Sequence, residues 1–169
     1  MKPLTLMLAL FLIAPGLFAD DRDIDYDHQT DFLKFKTFVL REGELNSKTP
    51  TLQSPLVRKK INEAIRAQLT AKGLREVQSQ ADLVVTYRFS SFRGTAAWSF
   101  PAGRRGRRTR VERIKFTEGT LAVDLTSREQ SSLVWRGVYR DDESDPSKIS
   151  EKLPNDIKKL FSDYPPKKK

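Results

Sequence analysis

Three segments of this sequence alternate apolar and polar residues with a period of two, and this alternation limits the chain to a fold built on a half-buried β-sheet. The pattern places every second side chain on the same face of a strand, so one face of the sheet enters a core. The polar turn 127–132 separates the second segment from the third and predicts an antiparallel hairpin. The apolar positions of the three segments are Leu83, Val85, Tyr87 and Phe89; Leu121, Val123 and Leu125; and Leu133, Trp135, Gly137 and Tyr139.

An amphipathic helix is predicted before these strands. Ser54 supplies an N-cap, Pro55 suits the first helical position, and Gly73 supplies a C-terminal stop. Apolar residues recur between these signals at helical spacing, at Val57, Ile61, Ala64, Ile65 and Leu69. Residues 31–40 are rich in Phe and predict a first strand, which a polar loop at 42–50 joins to the helix.

A second helix is predicted to begin at Asp145 and Pro146. Pro154 predicts a break in it, because an interior proline loses a hydrogen bond and clashes with the preceding turn. Trp135 and Tyr139 lie on the apolar side of their strand and are predicted to pack in the core. The element order β-α-β-β-β-α predicts a two-layer α/β sandwich, with a mostly antiparallel four-stranded sheet and two helices on one face. The last helical piece would present Ile157, Leu160, Phe161 and Tyr164.

The first nineteen residues predict export. Lys2 precedes the uncharged apolar stretch 4–14, and Ala19 is a small residue at the expected cleavage point. The stretch is shorter than the about 20 residues that cross a bilayer, although an uncleaved anchor stays an alternative. We expect residues 1–19 to be a signal peptide, 20–164 a single domain and 165–169 a basic tail. No transmembrane span is predicted in the mature chain, and the location expected is the periplasm or cell envelope.

Positive charge is concentrated in one part of the sequence. The chain carries a net charge of +9, to which residues 104–115 contribute +6 and residues 167–169 contribute +3. Without Lys2 and those two segments, the rest of the mature chain has a net charge of −1. Nucleic-acid binders usually spread cations over a folded face, so this distribution argues against a nucleic-acid partner.

Residues 92–106 are predicted to form an irregular loop rich in Gly, aromatic residues and Arg. Guanidinium groups suit phosphate or carboxylate ligands, and aromatic side chains beside cations suit an interfacial contact. A solvated loop that binds nothing is the alternative interpretation. The candidate ligand-binding residues are Trp98, Phe100, Arg104, Arg105, Arg107, Arg108, Arg110 and Arg113.

Several chemistries lack the residues they need. The chain has no Cys, which excludes disulfides, thiolate zinc sites and a cysteine nucleophile. His28 is the only histidine and no Gly-x-Ser-x-Gly motif accompanies it, so we expect it to cap or pack. The acidic runs at 20–27 and 141–145 lack the pattern of a calcium loop, and we predict no metal and no cofactor.

A carboxylate-dependent periplasmic hydrolase is the alternative function, and Asp82, Glu118 and Asp124 are its candidate residues. Glu118 and Asp124 share one side of a strand, but six residues of straight strand separate them by about 20 Å. They cannot act on one bond as a direct pair in that geometry.

Nine short motifs follow one another along the chain: Asp25-Tyr26-Asp27-His28, Asp31-Phe32, Lys36-Thr37-Phe38, Lys72-Gly73-Leu74, Ala81-Asp82-Leu83-Val84-Val85, Glu118-Gly119-Thr120-Leu121, Val123-Asp124-Leu125, Leu133-Val134-Trp135-Arg136-Gly137 and Tyr164-Pro165-Pro166. Taken in this order, they resemble the DUF4136 family, small bacterial envelope proteins of which many are lipoproteins. The resemblance covers most of residues 25–166 and implies a Gram-negative envelope location and an α/β architecture, without catalytic residues. Two departures are visible: the lipobox Cys common among relatives is missing, and the loop after the second strand is Arg-rich where relatives favour Gly and aromatic residues.

The sequence therefore predicts an exported, non-enzymatic binding or accessory module. Its expected partner is an envelope protein or an anionic lipid or lipopolysaccharide headgroup, contacted through the Arg-rich loop. A purely structural protein without a small ligand is a third possibility. The oligomeric state does not follow from the sequence.

Overall fold

The computed structural model describes residues 22–102 and 108–166. The predicted signal peptide and residues 167–169 of the predicted tail lie outside them. A short 3-10 turn at Phe32–Lys34 follows the first strand. The helices are α1 (Pro55–Ala71) and α2 (Pro146–Leu160), and the strands are β1 (Arg22–Tyr26), β2 (Thr37–Leu40), β3 (Glu44–Ser47), β4 (Arg75–Glu76), β5 (Leu83–Ala102), β6 (Arg108–Ser127) and β7 (Ser132–Glu143).

The strands form one seven-stranded sheet in the order β1-β7-β6-β5-β2-β4, and β3 also pairs with β5. The pairs β1–β7, β7–β6 and β6–β5 are antiparallel, whereas β2 and β3 pair with β5 in parallel and β2 pairs with β4 in parallel. The prediction of a mixed α/β fold is confirmed. The prediction of a mostly antiparallel four-stranded sheet is wrong.

Parallel pairing follows from the position of α1 between β2 and β5. A helix that crosses the sheet returns the chain to the end at which the previous strand began, so the next strand runs in the same direction. The starts of the two strands are joined by Asp82, whose carboxylate accepts hydrogen bonds from the Lys36 and Thr37 N–H groups at 2.8 and 2.9 Å. The hydroxyl of Thr37 also donates to this carboxylate at 2.9 Å.

Three short strands differ from the sequence-based prediction. β1 lies in the acidic run 20–27, β3 lies in the predicted polar loop 42–50, and β4 has only two residues. The predicted strand at 31–40 is a 3-10 turn followed by β2, because Asp31 caps the turn by accepting a hydrogen bond from the Leu33 N–H. Edge strands such as these need only one partner and bury little side-chain surface, which weakens their sequence signal.

The core lies between one face of the sheet and both helices, and it contains the predicted alternating residues. The Ser54 hydroxyl caps α1 by accepting from the Val57 N–H at 3.3 Å, as predicted. Trp135 and Tyr139 are 1% and 6% exposed, which confirms their core role. Trp135 stacks on Phe161 with ring centroids 5.2 Å apart. The buried face of α1 presents Val57, Ile61, Ala64, Ile65 and Leu69, and that of α2 presents Ile149, Leu153, Asp156, Ile157 and Leu160.

α2 continues through Pro154, so the predicted break is wrong. A proline at this position leaves the carbonyl of the residue four positions earlier without its helical donor. That residue is Ser150, and the Nζ of Lys60 on α1 lies 3.4 Å from its carbonyl oxygen and 3.1 Å from its hydroxyl. The contact between the helices therefore supplies the donor that the proline removes.

Candidate interaction surface

The outer parts of β5 and β6 form a two-stranded ribbon that extends past the rest of the sheet. The two strands pair along their whole lengths, but β3 ends opposite Ser91 and β7 begins its contact with β6 at Thr117. Beyond those points, residues 92–102 pair with residues 108–118 in an antiparallel ladder. We call residues 92–102 and 108–116 the arm. Ten residues of strand extend it by about 30 Å.

The register of the arm separates its side chains into two faces, because directly opposed residues of an antiparallel pair lie on the same side. The odd-numbered residues of β5 and β6 enter the core below the arm, so the even-numbered residues continue the face opposite the helices. The even-numbered set, here named the aromatic face, contains Phe92, Gly94, Ala96, Trp98, Glu112, Ile114 and Phe116. The odd-numbered set, here named the basic face, contains Arg93, Thr95, Ala97, Ser99, Val111, Arg113 and Lys115.

Large apolar side chains are exposed on the aromatic face. Phe92 is 65% exposed, Trp98 57% and Ile114 51%. Phe116 is half-buried instead, because its ring covers Gly94 on the opposite strand: a Cβ at Gly94 would lie 2.3 Å from the ring Cζ. An aromatic ring placed over a strand glycine is a known device for stabilising a pair of strands.

Cations follow the arm on its other face and toward its outer end. Arg113 and Lys115 are exposed on the basic face. Arg110 lies 3.0 Å from the carboxylate of Glu112, and both side chains are exposed. At the base, the Nε of Arg93 donates to the Thr49 hydroxyl at 3.2 Å and fixes the arm to the body.

The structure brings several predicted site residues together. The backbones of Phe100 and Arg108 lie within β5 and β6, with Phe100 opposite Arg110. Arg104, Arg105 and Arg107 lie outside the described residues. The predicted irregular loop is wrong for residues 92–102, which continue β5. The alternation of Phe92, Ala96 and Trp98 was the available signal, and the intervening small residues obscured it. Three predicted residues with exposed side chains lie on the arm: Trp98, Arg110 and Arg113.

The carboxylates named for a hydrolase have structural partners. The three donors on Asp82 join β2 to β5 and hold the pKa of its carboxyl below the usual value, chiefly through the Lys36 N–H. Asp124 accepts two hydrogen bonds from the Arg136 guanidinium, at 2.6 and 2.7 Å. The Thr120 hydroxyl donates to the Glu118 carboxylate at 3.4 Å, and Glu118 lies opposite Asp142 on β7. In the register of the sheet, these three carboxylates do not line a common cleft.

An open cleft of about 600 Å³ between α2 and β7 contains a different carboxylate pair. Burial raises the pKa of Asp156 and of Asp141. Lys159 lies 3.7 Å from Asp156 and Lys152 lies 3.4 Å from Asp141. Each of these two carboxylates therefore has a lysine partner from α2. Sequence reasoning missed this cleft, because it considered the acidic loop without α2.

His28 is exposed and lies beside Tyr26, with ring centroids 4.4 Å apart. Within the described ranges, no three histidine or acidic side chains converge in a way that could hold a metal ion. The absence of a metal stays a prediction. Among the helices of the described residues, none is long and apolar enough to cross a membrane.

The family model for the domain of unknown function DUF4136 matches residues 22–166. The chain belongs to the DUF4136 family. The match covers both helices, every described strand and the arm, and confirms the resemblance seen in the sequence. The family carries no established function, so membership supports the fold and leaves the role of the arm open. Among curated proteins the chain has no match.

Two crystal structures share the fold. A DUF4136 family protein from Bacteroides thetaiotaomicron has a TM-score of 0.55 and 14% identity, and the match covers 85% of this chain and 95% of that one. A PDZ domain protein from Parabacteroides distasonis has a TM-score of 0.62 and 15% identity over 89% of this chain. The chain spans only 36% of that second protein. At these identities the similarity shows the fold alone.

Proposed function

We propose that this protein is a non-enzymatic module of the bacterial cell envelope that binds an anionic envelope component through its arm. The first nineteen residues act as a signal peptide that is removed after Ala19. The component presents phosphate or carboxylate groups, either on a lipid or lipopolysaccharide headgroup or on an envelope protein.

The separation of charge between the arm and the body carries this proposal. Residues 22–91 and 118–166 contain nineteen Lys and Arg and nineteen Asp and Glu, so the body is formally neutral. Residues 92–117 contain eight Lys and Arg and a single acidic residue, Glu112. Cations concentrated in one segment of a chain that is otherwise neutral repel each other, and an anionic partner relieves that repulsion.

Binding to anionic vesicles and to lipopolysaccharide tests the proposal. We expect co-sedimentation at low salt that weakens as ionic strength rises, because screening shortens the range of exposed charges. Replacing the arm cations Arg108, Arg110, Arg113 and Lys115 with Gln should weaken binding at least tenfold, since each cation near an anionic surface contributes about 1 kcal/mol.

A matched variant distinguishes the effect of the arm on binding from the effect of net charge alone. Replacing four exposed body cations with Gln lowers the net charge by the same amount while leaving the arm intact. This variant should bind nearly as well as the wild type. Equal losses in the two variants, or unchanged binding after the arm substitutions, would refute the assignment to the arm. The body positions are Lys48, Arg128, Lys148 and Lys158.

The predicted export is tested by cell fractionation with N-terminal sequencing. We expect the protein in the envelope fraction with Asp20 as its first residue. A protein that stays in the cytosol with residues 1–19 attached would contradict the envelope role, whatever the arm binds.

A further inference from the structure

We propose that the aromatic face of the arm enters the interface of a lipid bilayer that carries anionic headgroups, so that the arm binds as an amphipathic β-ribbon. This inference rests on the proposed function and names the partner within it as a lipid surface. The contact has two parts: apolar side chains at the level of the acyl-chain boundary, and cations at the level of the phosphates.

The apolar part of the argument comes from where exposed apolar side chains lie. Among the described residues, seven large hydrophobic side chains are strongly exposed, and four of them lie on the arm. Three of those four, Phe92, Trp98 and Ile114, share the aromatic face. Several large apolar side chains exposed on one face are typical of a contact with a partner. An indole ring favours the boundary between headgroups and acyl chains, where its apolar body and its N–H both find suitable surroundings.

The cationic part comes from the narrow width of the ribbon. Paired strands lie about 4.8 Å apart, so side chains of the basic face start only a short distance from either edge. Arg113 and Lys115 can bend around that edge while their aliphatic stems cover apolar surface and their charges reach the headgroups. Arg110 belongs to the aromatic face itself, beyond Trp98 toward the outer end of the arm.

Shape and charge favour a lipid surface over a protein partner. The aromatic face belongs to a ribbon that extends beyond the body, so it offers the exposed surface of two strands in place of a groove. A second copy of the chain would bring another cationic arm or a neutral body. Charged side chains along a strand edge also discourage the addition of a further strand. A fluid anionic surface can adapt to a two-stranded ribbon and also complements its positive charge.

The two tryptophans allow a direct test with the full chain. Trp135 is 1% exposed and Trp98 is 57% exposed, so a change in fluorescence on adding vesicles reports on Trp98. We expect a blue shift with vesicles of equimolar phosphatidylglycerol and phosphatidylcholine, and none with pure phosphatidylcholine. Trp98→Phe should remove the shift and keep most of the binding.

Two aliphatic residues with equal exposure on opposite faces supply the matched pair. Ile114 on the aromatic face is 51% exposed, and Val111 on the basic face is 52% exposed. Ile114→Ser should weaken binding to the anionic vesicles by roughly tenfold, the order expected when an apolar side chain loses a lipid contact. Val111→Ser should change binding by less than about twofold, because that side chain stays in water.

Binding without a blue shift, or equal effects of the two serine variants, would overturn the insertion of the aromatic face. If the four arm substitutions still weaken binding at least tenfold in that case, the proposed function stands and only the lipid contact fails. Dimerisation in analytical ultracentrifugation that Ile114→Ser disrupts, without any vesicle binding, would identify a second copy as the partner and would also overturn the inference.

Discussion

The hydrogen bonds from Lys60 to Ser150, whose carbonyl loses its helical donor to Pro154, give a prediction that can be worked through in free energies. Lys60→Met keeps most of the aliphatic stem and removes the ammonium donor. A hydrogen bond that involves a charged group stabilises a fold by about 1.5–3 kcal/mol. The distances of 3.4 and 3.1 Å to the Ser150 carbonyl and hydroxyl place this contact at the weaker end. We therefore expect Lys60→Met to lower the free energy of unfolding by about 1–2 kcal/mol.

The Pro154→Ala background distinguishes the hydrogen bond that Lys60 donates to the Ser150 carbonyl from the one it donates to the Ser150 hydroxyl. Alanine restores an N–H that can donate to the Ser150 carbonyl, so Lys60 is then needed only by the Ser150 hydroxyl. The cost of Lys60→Met should fall by about 0.5–1 kcal/mol in that background, within the usual range for residues that share a partner. Pro154→Ala alone should raise stability by less than the about 3 kcal/mol that proline costs in an ordinary helix interior.

Urea denaturation followed through the fluorescence of buried Trp135 measures all four members of this cycle. An unchanged dependence on denaturant concentration would show that the variants alter stability and not compactness. The same cost of Lys60→Met with and without Pro154 would refute the view that Lys60 compensates the proline.

Three further variants test the fold in the same assay or by thermal denaturation. Asp82→Ala leaves three donors without their acceptor and should lower the free energy of unfolding by about 1–2 kcal/mol. Below the lowered pKa of Asp82 the wild type loses this contribution too, so the variant and the wild type should be equally stable there. Gly137→Ala places a Cβ 2.5 Å from the Trp135 ring and should cost about 1–3 kcal/mol, so an unchanged Tm would contradict the packing. Burial raises the pKa of Asp156, so its contribution to stability is present below the ordinary carboxyl range and is lost as pH rises through the raised value. Asp156→Asn should flatten the dependence of stability on pH in this range, and an unaltered dependence would contradict the assignment.

Much of the core was predictable because its signals are local. The cap at Ser54 and the apolar spacing of α1 act within one helix, and the alternation in β5, β6 and β7 follows from burying one face of a strand. The pairing directions were not predictable in the same way. Whether β2 runs parallel to β5 depends on the helix between them and on contacts 45 residues apart, such as that of Asp82 with Thr37.

The arm shows why part of the candidate site was missed. Its strands pair with each other outside the core, so no buried alternation accompanies residues 92–102, and Gly94 and Pro101 favour an irregular interpretation. The composition still indicated the exposed aromatic and cationic side chains. Their division into two faces depends on the register of β5 with β6, which the sequence does not state.

Removal of the arm tests the central claim most directly. Residues 94–116 can be replaced by Asn-Gly, because Arg93 lies opposite Thr117 and a two-residue turn closes an antiparallel pair. The shortened protein should keep the cooperative unfolding of the wild type, since the body retains its core, and should lose binding to lipopolysaccharide and anionic vesicles. A folded protein without the arm that binds them as tightly as the wild type would contradict the account.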